Sequence, residues 1–164
     1  ILLGMGKFNK VLEVDYDNRC ARVQPGVTNL AITKAVEEDG FYYAPDPSSQ
    51  IACSIGGDIA ENSGGVHSLK YGLTTNHVLG VEMVTIEGEI LRIGGKGLDQ
   101  SGYDLLGVIT GSEGVLGIVT EVTVRILRKP ETARALLLGL LRKVLHGDNI
   151  NPRPHYRCRQ PVVL

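Results

Sequence analysis

Glycine is the residue type that most constrains this chain, because 21 of its 164 residues are Gly, about 13% where roughly 7% is usual. These glycines follow no collagen-like period and are accompanied by only 7 Pro, so they do not mark a fibrous or low-complexity protein. They concentrate in three clusters between apolar runs, namely SIGGD with ENSGG (54–65), YGLT (71–74) and GSEGVLG (111–117). Glycines placed in this way let the backbone approach a neighbouring group closely.

The overall composition excludes several classes of protein. Hydrophobic residues make up 43% of the chain, and 17 Lys+Arg against 18 Asp+Glu leave a formal charge of −1. Without a net basic field, nucleic acid and anionic lipid surfaces are not expected as partners. The apolar stretch at 135–145 is shorter than the roughly 20 residues that span a bilayer, and the first ten residues lack a signal-peptide pattern. We therefore expect a cytoplasmic protein with no membrane-spanning segment.

Hydrophobic periodicity predicts an α+β fold, in which helices flank a mostly antiparallel sheet. Two hairpins and one long strand are indicated: 11–15 with 20–24, 78–86 with 89–93, and the strand that begins at Ile118. In that last strand Val122, Val124 and Ile126 share one face. True βαβ repeats would need more long helices, so a doubly wound fold is excluded.

Three further segments complete the predicted fold. A helix is expected from Thr28 or Asn29 to Glu38, ended by Gly40, and a short helix at 105–109. Residues 41–65 predict a long ordered loop with one helical turn near Ile59.

No spacing of Cys or His residues indicates a metal or nucleophilic centre. The three cysteines are far apart and are expected to be reduced thiols: Cys20, Cys53 and Cys158. The four histidines match neither HExxH nor a Cys/His cluster: His67, His77, His146 and His155. The first two are expected to be structural or exposed, and no metal site or catalytic residue is predicted.

Each glycine cluster alone fits a tight turn. The amides of Gly56 and Gly57, ahead of a helical turn, can also form an anion-binding nest for a phosphate, with Ser54 and Asn62 as side-chain donors. Neither a Walker sequence nor a strand-linked GxGxxG is present, so any nucleotide is held in another way. Asp58 is expected to point to solvent, because its carboxylate would repel a pyrophosphate.

Taken together, three segments carry a specific resemblance: PDPSSQIACSIGGD (45–58), ENSGGVHSLKYGLT (61–74) and GSEGVLGIVTEVTV (111–124). In this order they closely resemble the FAD-binding domain of the vanillyl-alcohol-oxidase-like (PCMH-type) flavoproteins, and most of all the group of the FAD-linked glycolate oxidase subunit and D-lactate dehydrogenase. The resemblance implies a partial FAD-binding domain at 1–130, similar to the second subdomain of that fold. A divergent tail at 131–164 is expected to be poorly ordered.

The resemblance also implies FAD as the cofactor and places its contacts in three parts of the chain. One part would follow the flavin and its pyrophosphate: Pro45, Asp46, Ser49, Ser54, Ile55, Gly56 and Gly57. A second part adds Asn62, Gly64, Gly65, Tyr71 and Gly72, although Tyr71 fits core packing equally well. The third would approach the flavin or adenine through backbone groups: Glu113, Gly114, Gly117 and Ile118.

The implied function is that of the FAD-binding part of an oxidoreductase, which transfers a hydride from a 2-hydroxy acid of the glycolate or D-lactate type to FAD. Proteins of this family also carry a preceding subdomain and a substrate-binding cap domain. We expect both to be absent from this chain, and other subunits of a glycolate-oxidase-like complex to be partners. The alternative is a truncated, catalytically inactive fragment or an interaction module, so whether the chain is an enzyme stays open. Apolar surface left uncovered by the absent parts would favour self-association.

Overall fold

The computed structural model describes residues 3–97 and 102–132. The chain divides into two units, Ile1–Lys129 and Pro130–Leu164, and the fold described below belongs to the first. The predicted tail at 131–164 lies outside the described residues from 133 onwards, as do Cys158, His146 and His155.

Seven strands and four α-helices make up the described fold. The strands are β1 (Val11–Asp15), β2 (Cys20–Val23), β3 (Phe41–Tyr42), β4 (Val78–Val84), β5 (Ile90–Gly94), β6 (Ile118–Arg125) and β7 (Leu127–Arg128). The helices are α1 (Asn29–Val36), α2 (Ile55–Glu61), α3 (Ser68–Tyr71) and α4 (Leu105–Ile109), with a 3₁₀ turn at Thr74–Asn76.

The main sheet has five strands in the order β1-β2-β6-β4-β5, and every neighbouring pair is antiparallel. The short strands β3 and β7 form a second antiparallel pair. The predicted α+β class with a mostly antiparallel sheet is confirmed.

The central strand, β6, behaves as its alternation predicts. Val122, Val124 and the following Ile126 are completely buried, whereas Glu121 and Thr123 face the other side of the sheet. Burying three aliphatic side chains of this size contributes about 1.5–3 kcal/mol each. The hydrophobic core therefore lies on one face of the sheet, under the helices.

Element ends differ from the predictions by a few residues. The first helix stops at Val36 and a turn leads to Gly40, which has φ +78. Strand β4 stops at Val84 because Thr85 N donates to Glu89 O at 2.9 Å and closes the hairpin. Ile86, predicted as strand, is 94% exposed at the tip.

Helices α1 and α2 begin side by side. Thr28 and Ser54 are their N-caps, and these two residues form an isolated antiparallel bridge. Asn29 N donates to Cys53 O at 3.1 Å and Ile55 N donates to Val27 O at 2.8 Å. This arrangement fixes the start of α2, which carries the first glycine pair.

Candidate functional site

Two of the glycine motifs, more than fifty residues apart in the chain, meet across a groove of about 180 Å³. The first turn of α2 forms one wall, and the GSEGVLG loop forms the other. Six residues predicted to contact a cofactor line the groove: Ser54, Gly56, Gly57, Gly114, Gly117 and Ile118. Its floor is apolar, with Ile59, Met83, Ile109 and Val119 among the lining residues.

Backbone hydrogen bonds hold the two walls together. Gly111 N donates to Ile59 O at 2.7 Å, and Glu113 N donates to Ala60 O at 2.9 Å. Asn62 ends α2 in the left-handed conformation with φ 51. The two motifs therefore form one rigid unit.

The amides of the predicted anion nest already have partners inside the protein. Gly56 N donates to Pro25 O at 2.9 Å, and Gly57 N donates to Ser54 Oγ at 3.3 Å. Both amides are therefore used within the protein, by the Pro25 carbonyl and by the Ser54 side chain that caps α2. The Ser54 hydroxyl keeps its own proton to donate, and a phosphate nest at this position stays a prediction. The groove itself lets a ligand approach the backbone closely and contact apolar side chains.

Packing explains Gly56 and Gly117 in the groove but not Gly57, while Gly114 has a positive φ of 74. A Cβ on Gly56 would lie 2.9 Å from Pro25 Cβ, and a Cβ on Gly117 would lie 2.6 Å from Val84 O. A Cβ on Gly57 would meet only Ser54 Oγ, at 3.4 Å. A longer side chain at Gly57 would therefore extend from the wall without disturbing the fold.

Asp58 does not point to solvent, and that prediction is wrong. Its residue is 1% exposed, and Oδ2 accepts from Asn29 Nδ2 at 3.2 Å and from Cys53 Sγ at 3.6 Å. The first turn of α2 directs this side chain towards the start of α1, away from the glycine face. A buried carboxylate is tolerated there because neighbouring donors satisfy it.

Asp46 organises a second cluster of predicted residues. Its Oδ2 lies 2.6 Å from Nδ1 of His67, and its Oδ1 accepts from His67 N at 3.2 Å. Gly65 packs directly against Asp46, whose carbonyl carbon and oxygen occupy the space that a Cβ would need. The Tyr71 ring lies 6.4 Å from the His67 ring. Sequence reasoning missed the Asp46–His67 pair because no local spacing links two residues 21 positions apart.

The remaining predicted contact residues do not line the groove: Pro45, Asp46, Ser49, Ile55, Asn62, Gly64, Gly65, Tyr71, Gly72 and Glu113. Ile55 is completely buried, so only its backbone could reach a ligand. Cofactor contact at all these positions stays a prediction.

His77 is structural, as expected. It is 2% exposed and its Nε2 lies 2.9 Å from Tyr71 O, so the proton of the neutral ring sits on Nε2. Burial lowers the pKa of His77 below its ordinary value. Within the part of the chain that the structure describes, Nδ1 has no hydrogen-bond partner.

Comparison with known protein families identifies the family to which this chain belongs. The family described as FAD binding domain (FAD_binding_4) matches residues 1–94, more than half of the chain. The chain belongs to this FAD-binding domain family. The resemblance carried by the three glycine motifs is thereby confirmed, and FAD is the cofactor of the domain.

The relatives of this FAD-binding domain are much longer proteins. It is 58% identical over 137 residues to the glycolate oxidase subunit GlcD of Escherichia coli (strain K12), an alignment that covers 84% of this chain and 28% of that protein. It is 35% identical over 139 residues to D-lactate dehydrogenase of Anaerostipes hadrus, covering 84% and 29%. The chain therefore spans less than a third of the length of these relatives.

Solved structures agree with the fold. The FAD-binding domain superposes on alkyldihydroxyacetonephosphate synthase with a TM-score of 0.69 and 32% identity, covering 78% of this chain and 23% of that one. Among residues 3–97 and 102–132, no helix has the length and apolar character needed to cross a membrane.

Proposed function

We propose that this domain holds FAD in the groove between α2 and the GSEGVLG loop, as the cofactor-binding part of an oxidoreductase that acts on a 2-hydroxy acid of the glycolate or D-lactate type. One observation carries the proposal: two separate glycine motifs converge on a single apolar groove. The names of the relatives, a glycolate oxidase subunit and a D-lactate dehydrogenase, support the substrate class.

The groove suits a flat ring better than a charged group. Its floor is aliphatic, and its glycines remove the side chains that would keep a ring at a distance. The nearest backbone amides of α2 are already bonded within the protein. We therefore assign the groove to an aromatic face of FAD, and expect donors outside the groove to balance the charge of the pyrophosphate.

When bound in this groove, FAD would supply a flavin ring able to accept a hydride. The contribution of this chain is to bind and orient the cofactor and to exclude water from one of its faces. Further parts of a longer protein, or other subunits of a glycolate-oxidase-like complex, would supply the groups that bind the hydroxy acid. The alternative is an FAD-binding fragment that has no turnover of its own.

The test is FAD retention, measured by visible absorption after incubation with FAD and desalting. We expect the wild-type chain to keep flavin bands, and Gly57→Asp to weaken FAD binding at least about tenfold, because a carboxylate extending from the wall opposes both the ring and the pyrophosphate. Gly95→Asp is the matched control, since a Cβ there meets nothing within 4 Å and Gly95 does not line the groove.

Equal retention by Gly57→Asp and wild type, or loss in Gly95→Asp alone, would place the cofactor elsewhere. Absence of bands in all three proteins would contradict FAD binding by this chain on its own. Retained FAD that glycolate and D-lactate fail to bleach would favour the inactive-fragment alternative.

A further inference from the structure

A second cavity, of about 550 Å³, lies apart from the groove and shares no lining residue with it. It is formed where the 3₁₀ turn, the start of α4 and the end of β6 meet. Its polar side chains are Tyr71, Thr75, Asn76, Tyr103, Asp104 and Arg125. The volume falls in the range of about 300–1,000 Å³ that is usual for pockets that bind small molecules.

Acceptor atoms on the cavity wall are mostly used within the protein. Asn76 Oδ1 accepts from Leu73 N at 2.9 Å, which leaves the Nδ2 donor of the same amide. Asp104 caps α4, and its Oδ1 accepts from Gly107 N at 2.9 Å. On this wall Asn76 Nδ2 is therefore a neutral donor, and the second carboxylate oxygen of Asp104 is an acceptor beside it.

Arg125 supplies the positive charge. It is half-buried at the end of β6 and is fixed by its amide, which donates to His77 O at 2.7 Å. Arg22 and Arg92 pair with carboxylates on the same sheet, but Arg125 has no carboxylate within 4.0 Å among residues 3–97 and 102–132. A partly buried guanidinium without a counter-ion is costly unless an anion joins it.

Tyr71 also lines the cavity, and its hydroxyl can act as a donor. Its pKa is lowered, first by a hydrogen bond from Tyr42 and then by Lys70, whose Nζ lies 5.0 Å from the ring centroid. Because the phenol oxygen accepts these bonds, its own O–H is left to donate. A more acidic phenol is also a stronger donor.

We propose that this cavity binds a small oxyanion, a carboxylate or a phosphate, through the guanidinium of Arg125, with Asn76 Nδ2 and the Tyr71 hydroxyl as neutral donors. A guanidinium fork matches two oxygens of either group. Asp104 is the acidic side chain on this wall and limits the negative charge that the cavity accepts. This site goes beyond the proposed function, since it needs neither the groove nor a bound flavin.

Inorganic phosphate and glycolate are the two probes, each titrated into the ¹⁵N-labelled full chain at constant ionic strength. We expect saturable shifts of the amides of Thr75, Asn76 and Arg125 with at least one probe, and the stronger probe identifies the oxyanion. Arg125→Gln should weaken that binding at least about tenfold, as expected from the loss of a charge-assisted bond. Arg92→Gln is the matched control, because Arg92 is exposed and paired with Glu82.

Asn76→Asp is a second variant, which tests the site independently if Arg125→Gln fails to fold. It keeps an oxygen to accept from Leu73 N but replaces the donor by a negative charge, so binding should be lost while the amide spectrum stays native. Unchanged affinity in Arg125→Gln or Asn76→Asp, or no saturable shift with either probe, would overturn the proposal. Loss of binding in Gly57→Asp, or displacement of the probe by FAD, would also overturn it by assigning the anion to the cofactor site.

Discussion

Lys96 Nζ lies 2.6 Å from Asp15 Oδ2, although these residues belong to opposite edges of the main sheet. Lys96 follows β5, Asp15 ends β1, and four interstrand spacings separate the two edge strands, which is about 19 Å in a flat sheet. The same ammonium group contacts Glu13 at 2.6 Å. The sheet must therefore be strongly twisted and curled, and a side-chain ion cluster links its two edges.

Removing the Lys96 charge should loosen this link. The hydrogen bond and charge of Lys96 lower the pKa values of Glu13 and Asp15 in the folded state. A lowered carboxyl pKa adds stability above the unfolded value of about 4, and that stability is lost as the pH falls through the folded value. Lys96→Gln should therefore lower Tm by about 2–5 °C at pH 7, by less at pH 2.5, where part of the carboxyl contribution is lost, and by much less in 1 M NaCl.

Lys129→Gln is the control for this substitution, because it removes one exposed pair, Lys129–Glu37 at 3.4 Å. Its Tm should stay within about 1 °C of wild type. A Lys96 effect that is independent of both pH and salt would show that lost packing, and not charge, causes it.

Two glycines of the groove should respond in opposite ways to alanine. Gly117→Ala would force a methyl group against Val84 O and the Met83 side chain, and should lower the free energy of unfolding by about 1–3 kcal/mol. Gly57→Ala meets only ordinary contact inside α2 and should raise the urea midpoint slightly, because alanine in a helix is favoured over glycine by about 0.5–1 kcal/mol. Equal midpoints for both variants would contradict the packing role assigned to Gly117.

The buried carboxylate of Asp58 should be needed for stability. Asp58→Ala leaves the Asn29 amide without its acceptor in the core, at a cost of about 1–3 kcal/mol in urea unfolding. Asp58→Asn keeps an acceptor oxygen and should lose less. The exposed Asp17 provides the comparison, since Asp17→Ala should be nearly neutral. If Asp58→Ala is also neutral, the hydrogen bond with Asn29 contributes little.

His77 should titrate below the ordinary histidine value of about 6.5, because burial lowers its pKa. The unfolded chain then takes up a proton first as the pH falls, so the free energy of unfolding should decrease between pH 7 and 5. Side-chain NMR titration measures the midpoint directly, and His77→Gln should flatten this pH slope. A midpoint at or above 6.5 would contradict the prediction.

Exposed apolar side chains should promote association of the isolated chain. Val66 is 87% exposed and Leu69 is 95% exposed on the segment around α3, which agrees with the self-association expected from the sequence. Leu69→Ser should reduce the association measured by sedimentation at micromolar concentration, while Leu3→Ser, on the exposed first residues, should not. A wild-type chain that sediments as a monomer at all concentrations would refute this.

The sequence predicts the centre of the sheet well because the second half of β6 alternates between buried and partly exposed residues. Val122 and Val124 carry the period-two pattern that only a half-buried strand explains, and both are fully buried. Helix α2 was predicted as one turn and covers seven residues, because its glycines conceal the helical signal that the Ser54 cap and the buried Ile55 and Ile59 supply.

The candidate site was predictable only in part. Motif order identified Gly57 and Gly117, but their meeting across one groove depends on contacts between α2 and the loop before β6. The inward turn of Asp58 depends on Asn29, 29 residues earlier. Arg125 looks like an ordinary polar residue on a strand until the fold places Asn76 and Tyr71 beside it. Contacts between residues far apart in the chain produce no periodic pattern in the sequence, so periodicity does not predict them.

The position of β6 has a consequence for how the protein is made. This strand is the last of the five to be synthesised, yet it lies between β2 and β4. Until residues 118–125 leave the ribosome, the two hairpins have no shared neighbour, and both inner edges are open to pairing with another chain. The domain should therefore fold cooperatively and late during translation. Chains stalled on the ribosome before Ile118 should be the most prone to aggregate.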